Sequence, residues 1–453
     1  MLATLDALLR KGIKQYQVPG ASVAVLKNHR VVAALGAGVT NLDTRVKVTS
    51  DTVFQIGSIT KPHTATLIMQ LVDEGKLELD APVVNYLPDF RGADAETRQI
   101  TIRQLLSHTG GIDGDYFVGS GRGDDAVERY VPMCRMVPSL FSPGERMSYC
   151  NLGYAILGRV IEVLRSKSYD QALIDHIFLP LGMDHAFSRP EESLRFNCAV
   201  GHVPSSRKKN TWYVSRIPYL AFGQKAAGST PTMSAPDLLK FADLHLKRGK
   251  GDTGERVLSA KSVAEMQKPQ VKLAKNTQMG ISAWGLGWFL PRWSGKKLYG
   301  HDGATLGQFA FLRVFPEKNL AVALLTNGGD AKGLYQDIVP PLIESIGKVS
   351  EPGFPAPMVR QPDLDAYCGR FRNLQTDIVF SIKGKRLVME DTDRDSGHPL
   401  HKKQLPLTFI DKGTAKIDSD DPVLSRGVYH FSNWENGTPK FVQTGFRQFK
   451  RTN

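Results

Sequence analysis

Two apolar runs near the start of the chain are separated by a short polar stretch. The runs are Ala21–Leu26 and Val31–Leu35, and Lys27–Arg30 lies between them. Apolar runs of this length joined by a few polar residues are typical of a β-hairpin. Residues 1–10 before them mix apolar and polar positions at helical spacing. This part of the chain is therefore predicted to form an amphipathic helix followed by a hairpin.

Helical spacing dominates the middle of the chain. Apolar residues recur there every three or four positions, which is the spacing of one helix face. The predicted helices cover Ala65–Val72, which follows Thr60–Pro62, and Thr101–Leu106, Leu152–Val163, Leu238–Leu246 and Leu334–Ile346.

Strand patterns return before the last of these helices. The apolar runs Gln308–Phe315 and Leu320–Thr326 are joined by Pro316–Asn319, which has the composition of a turn. Strands therefore lie at both ends of one region, with helices between them. This order predicts a single α/β domain whose sheet joins distant halves of the chain.

A proline-rich segment separates this region from the rest of the chain. Four prolines lie between Ser350 and Pro362, and such a composition is typical of a semi-rigid linker. The short apolar runs beyond it, such as Ile378–Ile382 and Val428–Phe431, alternate with turn residues and predict a small antiparallel β-barrel. We therefore divide the chain into a large α/β domain over 1–349, a linker over 350–362 and a barrel over 363–453.

Composition narrows the class of protein. Of 453 residues, 41% are hydrophobic and 23% are charged, as in ordinary globular proteins. The 58 Lys and Arg exceed the 45 Asp and Glu by 13, and such an excess is also found in nucleic-acid-binding proteins. However, no nucleic-acid motif accompanies it, and the main basic cluster, Arg207–Lys209, falls in a predicted loop. We therefore interpret the excess as a solvated surface and expect no nucleic-acid partner.

Targeting and metal signals are weak. No window reaches 18 uninterrupted apolar residues, so no membrane span is expected. The first residues lack the features of a signal peptide, which predicts a cytoplasmic protein, or a secreted one if a leader was removed. The four cysteines form no C-x-x-C pair, which predicts free thiols. His398 and His401 are half of a metal site at most and fit a polar loop better, so neither a metal nor a cofactor is predicted.

Ser58 and Lys61 are a candidate nucleophile and base. Three residues apart at a helix start, they lie on one face with Cβ atoms about 5–6 Å apart. N–H groups at a helix N-terminus can stabilise an oxyanion, and a lysine of lowered pKa can take a serine proton. An isolated S-x-x-K is more simply explained as the capped start of a helix with an exposed lysine. The pattern also occurs five times in the chain, starting at Ser58, Ser205, Ser206, Ser294 and Ser345. Ser58 is favoured because apolar residues precede it and an amphipathic helix follows it.

Two further short patterns supply candidate partners. Tyr149-Cys150-Asn151 is the only Y-x-N in the chain, and a tyrosine and an amide two positions apart in a loop can face one cavity. A buried loop tyrosine is the alternative. The third pattern is His301-Asp302-Gly303, and it precedes a predicted strand. H-x-G also occurs at His108, so this pattern alone is weak.

In this order, the three patterns resemble those of the serine β-lactamase and penicillin-binding-protein superfamily, in its class C-like esterase and peptidase branch. Phrases such as Gly75–Val83 and Ile100–Gly111 resemble that branch as well. The resemblance covers about residues 5–346. It implies an α/β fold with an antiparallel sheet flanked by helices and an all-helical subdomain. The predicted barrel resembles the lipocalin-like domain that some members carry.

The resemblance also implies a role for each residue. Ser58 would be the acyl-accepting nucleophile, and Lys61 and Tyr149 would share the work of general base and proton shuttle, the first proton acceptor being left open. Asn151 would hold an amide or acyl group of the substrate and orient Lys61. His301 would support Tyr149 and the leaving group.

Backbone groups complete this implied site. The oxyanion hole would combine the N–H groups of Ser58 and Ala304, and Asp302 and Gly303 would contact the substrate. The family often has K-T-G where this chain has H-x-G. A histidine is mostly neutral near pH 7, so His301 weakens the expectation of a free-carboxylate substrate and of antibiotic hydrolysis.

Three functions follow as alternatives. The first is a serine hydrolase of esters or amide bonds, including those of D-amino-acid peptides. The second is an acyltransferase or macrocyclase that releases a non-ribosomal peptide from a thioester, in which case its acyl substrate would be carrier-bound rather than a free small molecule or peptide. The third is a non-catalytic sensor of the same fold.

Overall fold

The computed structural model describes residues 2–205, 211–274, 278–401, 403–421 and 423–452. The predicted basic cluster Arg207–Lys209 lies outside these residues. The α-helices of the described chain are α1 (Leu2–Gln15), α2 (Thr60–Asp73), α3 (Ile102–Leu106), α4 (Ala126–Tyr130), α5 (Asn151–Arg165), α6 (Tyr169–Leu173), α7 (Pro190–Ser193), α8 (Ala235–Leu246), α9 (Ala260–Met266) and α10 (Ala331–Gly347).

The strands fall into a main sheet, two small sheets and a barrel. Those before the barrel are β1 (Gly20–Lys27), β2 (Arg30–Gly38), β3 (Phe54–Gln55), β4 (Ala186–Phe187), β5 (His202–Pro204), β6 (Trp212–Val214), β7 (Thr232–Met233), β8 (Val271–Lys272), β9 (Ile281–Trp284), β10 (Phe289–Trp293), β11 (Lys296–Lys297), β12 (Tyr299–Ala304), β13 (Phe309–Phe315) and β14 (Leu320–Thr326). The barrel strands are β15 (Gly369–Arg372), β16 (Thr376–Lys383), β17 (Arg386–Asp393), β18 (Leu405–Asp411), β19 (Thr414–Ile417), β20 (Val428–Glu435), β21 (Thr438–Thr444) and β22 (Arg447–Thr452).

The main sheet is antiparallel and joins both ends of the catalytic region. Its order is β2-β1-β14-β13-β12-β10-β9-β8, with β11 paired to β10. Strand β1 lies between its hairpin partner β2 and the distant β14, with Ala24 opposite Ala323. The predicted hairpin and the predicted union of distant halves are both confirmed.

Helices cover both faces of this sheet. Successive side chains of a strand point to opposite faces, so Val23 and Val25 of β1 pack with α1 and α10, whereas Ala24 and Leu26 belong to the larger core around α2, α5 and α8. Because both faces are covered, β1 is buried almost throughout. This burial explains why its sequence is a continuous apolar run rather than an alternating one.

Helix α2 differs from the prediction of an amphipathic helix. Its residues 60–71 are all buried, polar ones included. Tertiary contacts satisfy the polar groups: the Thr64 hydroxyl lies 2.7 Å from the Tyr169 hydroxyl and donates to the Ala226 carbonyl at 2.7 Å. The His63 ring stacks on Phe241 with centroids 3.6 Å apart. The expectation was wrong because helical spacing does not reveal that polar residues on the opposite face also find buried partners.

The C-terminal strands form a closed antiparallel barrel, β15 to β22, as predicted. It closes where β22 pairs with β15, with Phe371 opposite Arg451. Aromatic side chains such as Phe371, Phe380, Phe409 and Phe431 form its core. The barrel is therefore a packed unit, and its likeness to lipocalins stays a prediction, as do our proposed domain boundaries. Within the described residues, no helix has the length and apolar character needed to span a membrane.

Candidate active site

Ser58 and Lys61 lie where the main sheet meets the buried helix α2. Ser58 belongs to a single 3₁₀ turn, Gly57–Ile59, that leads directly into α2, and Lys61 is the second residue of α2. Ser58 is partly exposed, whereas Lys61 is fully buried. The predicted juxtaposition is present, because Lys61 Nζ lies 3.0 Å from Ser58 Oγ.

The Lys61 amine has two further partners, and both are acceptors. It donates to Asn151 Oδ1 and to the Ala227 carbonyl, each at 2.7 Å. Burial lowers the pKa of Lys61 well below its ordinary value, and the nearby Arg447 charge lowers it further, while Asp115 and Cys150 act in the opposite direction. A neutral amine has two N–H groups, which these carbonyl oxygens occupy. Its lone pair is then left for the Ser58 hydroxyl, which is the arrangement a general base requires.

Tyr149 and Asn151 reach the same site from the loop and first turn of α5. The Tyr149 ring centroid lies 4.8 Å from Lys61 Nζ, and Asn151 is the first residue of α5. Burial raises the pKa of Tyr149 above its ordinary value. Two effects lower this pKa, namely the hydrogen bond between Tyr149 and the Ser58 side chain and the positive charge of Arg447, but they offset the rise only in part. Tyr149 is therefore a neutral phenol, which can relay a proton rather than act as a standing anion.

The backbone of β12 lies directly against the turn that carries Ser58. A Cβ added to Gly303 would lie 1.8 Å from the Ile56 carbonyl oxygen and 3.0 Å from Ser58 N, and one added to Gly57 would lie 2.6 Å from Ala304 N. Only glycines permit this approach. It brings together the two peptide N–H groups, of Ser58 and Ala304, that the sequence predicts as oxyanion donors.

His301 is a neutral group of the cavity wall. It is buried and lies on β12, with Nδ1 2.6 Å from the Asp302 carbonyl oxygen. Burial lowers the pKa of His301 to about 3, with a further contribution from the Lys61 charge. Since Nδ1 donates to the carbonyl, Nε2 is an acceptor, and it has no hydrogen-bond partner among the described residues. The His301 ring lies near the Tyr149 ring, with centroids 6.2 Å apart, and the support of Tyr149 by His301 stays a prediction.

Asp302 faces the cavity but its carboxylate is already paired. Arg313, fully buried on β13, donates to Asp302 Oδ1 at 2.6 Å and to Tyr335 Oη at 3.0 Å. The Asp302 side chain is 29% exposed. A role in substrate contact is compatible with this exposure, but Asp302 is also the counter-ion of a buried arginine.

Sequence reasoning missed several residues of the site. Asp115 accepts from Asn151 Nδ2 at 2.6 Å and from the Arg447 guanidinium. The Phe446 carbonyl accepts from the Tyr149 N–H at 2.8 Å, and the Phe446 ring contacts Trp284 edge-on, with centroids 5.5 Å apart. Residues 445–447 form the turn and start of β22 in the barrel. No local pattern could indicate them, because their hydrogen-bond partners Tyr149 and Asp115 lie about three hundred residues away in the chain.

The side chains surround one cavity of about 380 Å³. Aromatic and aliphatic groups form most of its wall, namely Phe117, Leu220, Trp284, Phe289, Phe309, Phe311 and Phe446. Trp284 thus lines the cavity, whereas Trp288 and Trp293 are core residues. Within the described part of the chain, no cluster of three or more His, Cys, Asp or Glu could hold a metal ion, and His401 instead pairs with Asp391 at 2.8 Å.

A serine hydroxyl 3.0 Å from a buried lysine amine, beside an antiparallel sheet, is typical of enzymes that form an acyl-serine intermediate. Residues 5–337 match the family model Beta-lactamase, and the chain belongs to this family, whose members are serine acyl-enzyme hydrolases. Penicillin-binding protein 4 of Amycolatopsis lactamdurans is 42% identical over 354 residues, which cover 78% of this chain and 92% of that protein.

Solved structures extend the similarity. The structure of SurE with D-Leu has a TM-score of 0.78 at 26% identity and covers 99% of each chain. The D-amino acid amidase of Ochrobactrum anthropi SV3, in complex with L-phenylalanine, has a TM-score of 0.64 at 24% identity over 76% of this chain and 99% of that one. The second likeness shows the fold alone.

Proposed function

We propose that this protein is a serine hydrolase that forms an acyl-enzyme on Ser58 and cleaves esters or amide bonds, including those of D-amino-acid peptides. The observation that carries the proposal is the fully buried Lys61 amine, 3.0 Å from Ser58 Oγ, whose other two partners are carbonyl oxygens. This set of partners leaves the lone pair of a neutral amine for the Ser58 proton.

Acylation follows from this arrangement. Ser58 Oγ forms a bond to the substrate carbonyl carbon while its proton passes to Lys61. The backbone N–H groups of Ser58 and Ala304 stabilise the oxyanion. The carbon–leaving-group bond then breaks, and the proton reaches the leaving group through Tyr149, with His301 Nε2 as an acceptor for an N–H or O–H of the substrate. Water repeats the sequence in deacylation, and the Ser58 proton is restored.

The groups of the cavity wall bear on the class of substrate. His301 is neutral, Asp302 is paired with Arg313, and Arg447 is paired with Asp115. Lys332 also lines the cavity, so these pairs do not remove every positive group from the wall. The aromatic part of the wall favours an apolar acyl side chain. The similarity to a structure that contains D-Leu supports an acyl residue of D configuration.

The test is to trap the acyl-enzyme. The protein is mixed with p-nitrophenyl esters, a cephalosporin, D-aminoacyl amides and a fluorophosphonate, and intact mass is followed by peptide mapping. We expect the added mass on the peptide that contains Ser58, with esters and D-aminoacyl amides turning over and the cephalosporin reacting slowly. An adduct on another residue would contradict the assignment, and no adduct with any probe would favour the non-catalytic sensor.

A second candidate keeps the acyl-enzyme but changes the acceptor. The barrel residue Phe446 lines the cavity together with Ser58, and a wall that excludes water from an acyl-enzyme would favour an amine as acceptor. The function would then be acyl transfer or head-to-tail cyclisation of a thioester-linked peptide. With a peptidyl thioester as substrate, a cyclic product is lighter than the linear acid by one water. Mass spectrometry that finds linear acid alone would exclude the cyclase.

A further inference from the structure

The hairpin that joins β21 and β22 reaches from the barrel into the catalytic cavity. Thr444 pairs with Arg447, so Gly445 and Phe446 are the two turn residues. Both have positive φ, 55° and 66°, as two-residue hairpin turns of type I′ require. Phenylalanine is unfavourable in this conformation. A bulky side chain held there at a cavity wall is the kind of strain that accompanies function.

Contacts on both sides of this turn hold the segment that carries Tyr149. The Phe446 carbonyl accepts from the Tyr149 N–H. Gln448 adds two hydrogen bonds: its backbone N–H donates to Ser148 Oγ at 3.1 Å, and its side-chain amide donates to the Met147 carbonyl at 3.1 Å. The Arg447 guanidinium lies over the Tyr149 ring, 5.1 Å from its centroid. The barrel therefore forms part of the active-site wall.

Asp115 links this hairpin to the candidate base. One of its carboxylate oxygens accepts from Arg447 Nε, and the other accepts from Asn151 Nδ2 at 2.6 Å. An amide can present either its oxygen or its nitrogen to a neighbour. A carboxylate accepts only, so Asp115 fixes the amide nitrogen on its own side and leaves Oδ1 for Lys61 Nζ.

We infer that Asp115 and Arg447 are positioning residues that fix the orientation of Asn151, and that the barrel thereby completes the active site. This inference rests on the proposed function. In the relay Arg447–Asp115–Asn151–Lys61, the buried carboxylate needs the arginine as its counter-ion. Without it, the carboxylate is left without a paired charge and the Asn151 amide loses its fixed partner.

The test compares the fluorophosphonate labelling rate of Asp115→Asn and Arg447→Gln with that of the unaltered protein across pH. We expect each change to lower the rate by roughly 10- to 100-fold, since small displacements of a catalytic group have effects of this size. The double variant is expected to lose little more than either single variant, because the two residues act through one contact. Arg447→Lys keeps the charge and should recover part of the rate.

The pH profile separates positioning from a general structural defect. Besides Asp115 and Arg447, the titratable groups that face Lys61 are Tyr149, Tyr154, Cys150, His108 and His301, and all five are present in both variants. The Arg447 charge also lowers the pKa of Tyr149 and of His108, and the Asp115 charge raises the pKa of Tyr149 and of Cys150. The Arg447 charge lowers the pKa of Lys61 and the Asp115 charge raises it. The labelling rate falls on the acid side as Lys61 becomes protonated, and this acid limb of the pH–rate profile follows the pKa of Lys61. It should therefore move to higher pH in Arg447→Gln and to lower pH in Asp115→Asn.

A matched pair on the barrel surface provides the control. Arg386 donates to Asp418 at 2.8 Å, and both side chains are exposed. Arg386→Gln and Asp418→Asn should label at the original rate with an unmoved acid limb.

Three outcomes would overturn the inference: labelling rates within twofold of the original in both Asp115→Asn and Arg447→Gln, additive losses in the double variant, or acid limbs that move in the same direction in both single variants. If Asp115→Asn does not fold, Arg447→Gln and its rescue by lysine decide alone. Labelling of the unaltered protein away from Ser58 would instead overturn the proposed function.

Discussion

Replacing Ser58 by alanine is expected to abolish covalent labelling by a fluorophosphonate and to lower turnover of every acyl substrate by at least about 10⁴-fold. The reason is that Ser58 Oγ is the oxygen beside the buried Lys61 amine. Removal of the hydroxyl leaves the lysine, the tyrosine and the backbone N–H groups in place but removes the atom that accepts the acyl group. Gel fluorescence and intact-mass measurement of the labelled protein check the result.

The chain offers a matched control for this experiment. Ser345 also begins an S-x-x-K pattern, but it lies exposed on α10 and its Lys348 is exposed as well. Ser345→Ala should therefore label and turn over substrate like the unaltered protein. Persistent labelling of Ser58→Ala would contradict the assignment, and loss of labelling in Ser345→Ala would show that the probe reports something other than the Ser58 site.

The comparison of these two serines explains how far the sequence determines the site. Local spacing places a lysine one turn after either serine, and the order of three short patterns selects Ser58. What distinguishes them physically is the environment of the lysine: Lys61 is enclosed by Asn151 and the Ala227 carbonyl, whereas Lys348 faces solvent. That difference is set by contacts between distant segments, so spacing alone does not contain it.

The same reason explains what the sequence did not predict. The β1–β2 hairpin, strands β13 and β14 and the longer helices follow from local periodicity and were predicted, whereas short elements such as α9 and strands β8 to β11 were not. The burial of polar residues on α2 and the approach of Arg447 to Asp115 depend instead on how separate elements pack. Arg447 is the first residue of β22, and Asp115 lies in a loop without periodicity, so neither local sequence indicates the contact.

The second large effect concerns stability. Lys225→Met is expected to lower the free energy of unfolding by about 3 to 5 kcal/mol, because breaking a buried ion pair leaves a charge without its partner. Lys225 Nζ lies 2.6 Å from Asp170 Oδ2, and the side chains are 4% and 1% exposed. Arg189 lies 3.8 Å from the same carboxylate, so we expect the lower end of this range.

Urea unfolding followed by tryptophan fluorescence measures the change in the free energy of unfolding. Of the five tryptophans, only Trp434 lies in the barrel, so the signal reports mainly on the domain that contains Lys225. Lys167→Met is the matched control: its pair with Asp175 is 42% and 28% exposed, and exposed pairs contribute less than about 1 kcal/mol. The double variant Asp170→Asn with Lys225→Met should recover part of the loss. Equal stability of the Lys225 and Lys167 variants would contradict the prediction.

The ion pair also connects stability to the chemistry of the site. Lys225 belongs to the 3₁₀ segment Phe222–Ala227, whose last carbonyl accepts from the Lys61 amine at 2.7 Å. If that segment shifts, Lys61 loses one of the two acceptors that orient its lone pair. The Lys225→Met protein that remains folded should therefore label more slowly than the Lys167→Met protein. An unchanged labelling rate in a destabilised Lys225→Met protein would mean that the ion pair stabilises the fold without holding the Ala227 carbonyl in place.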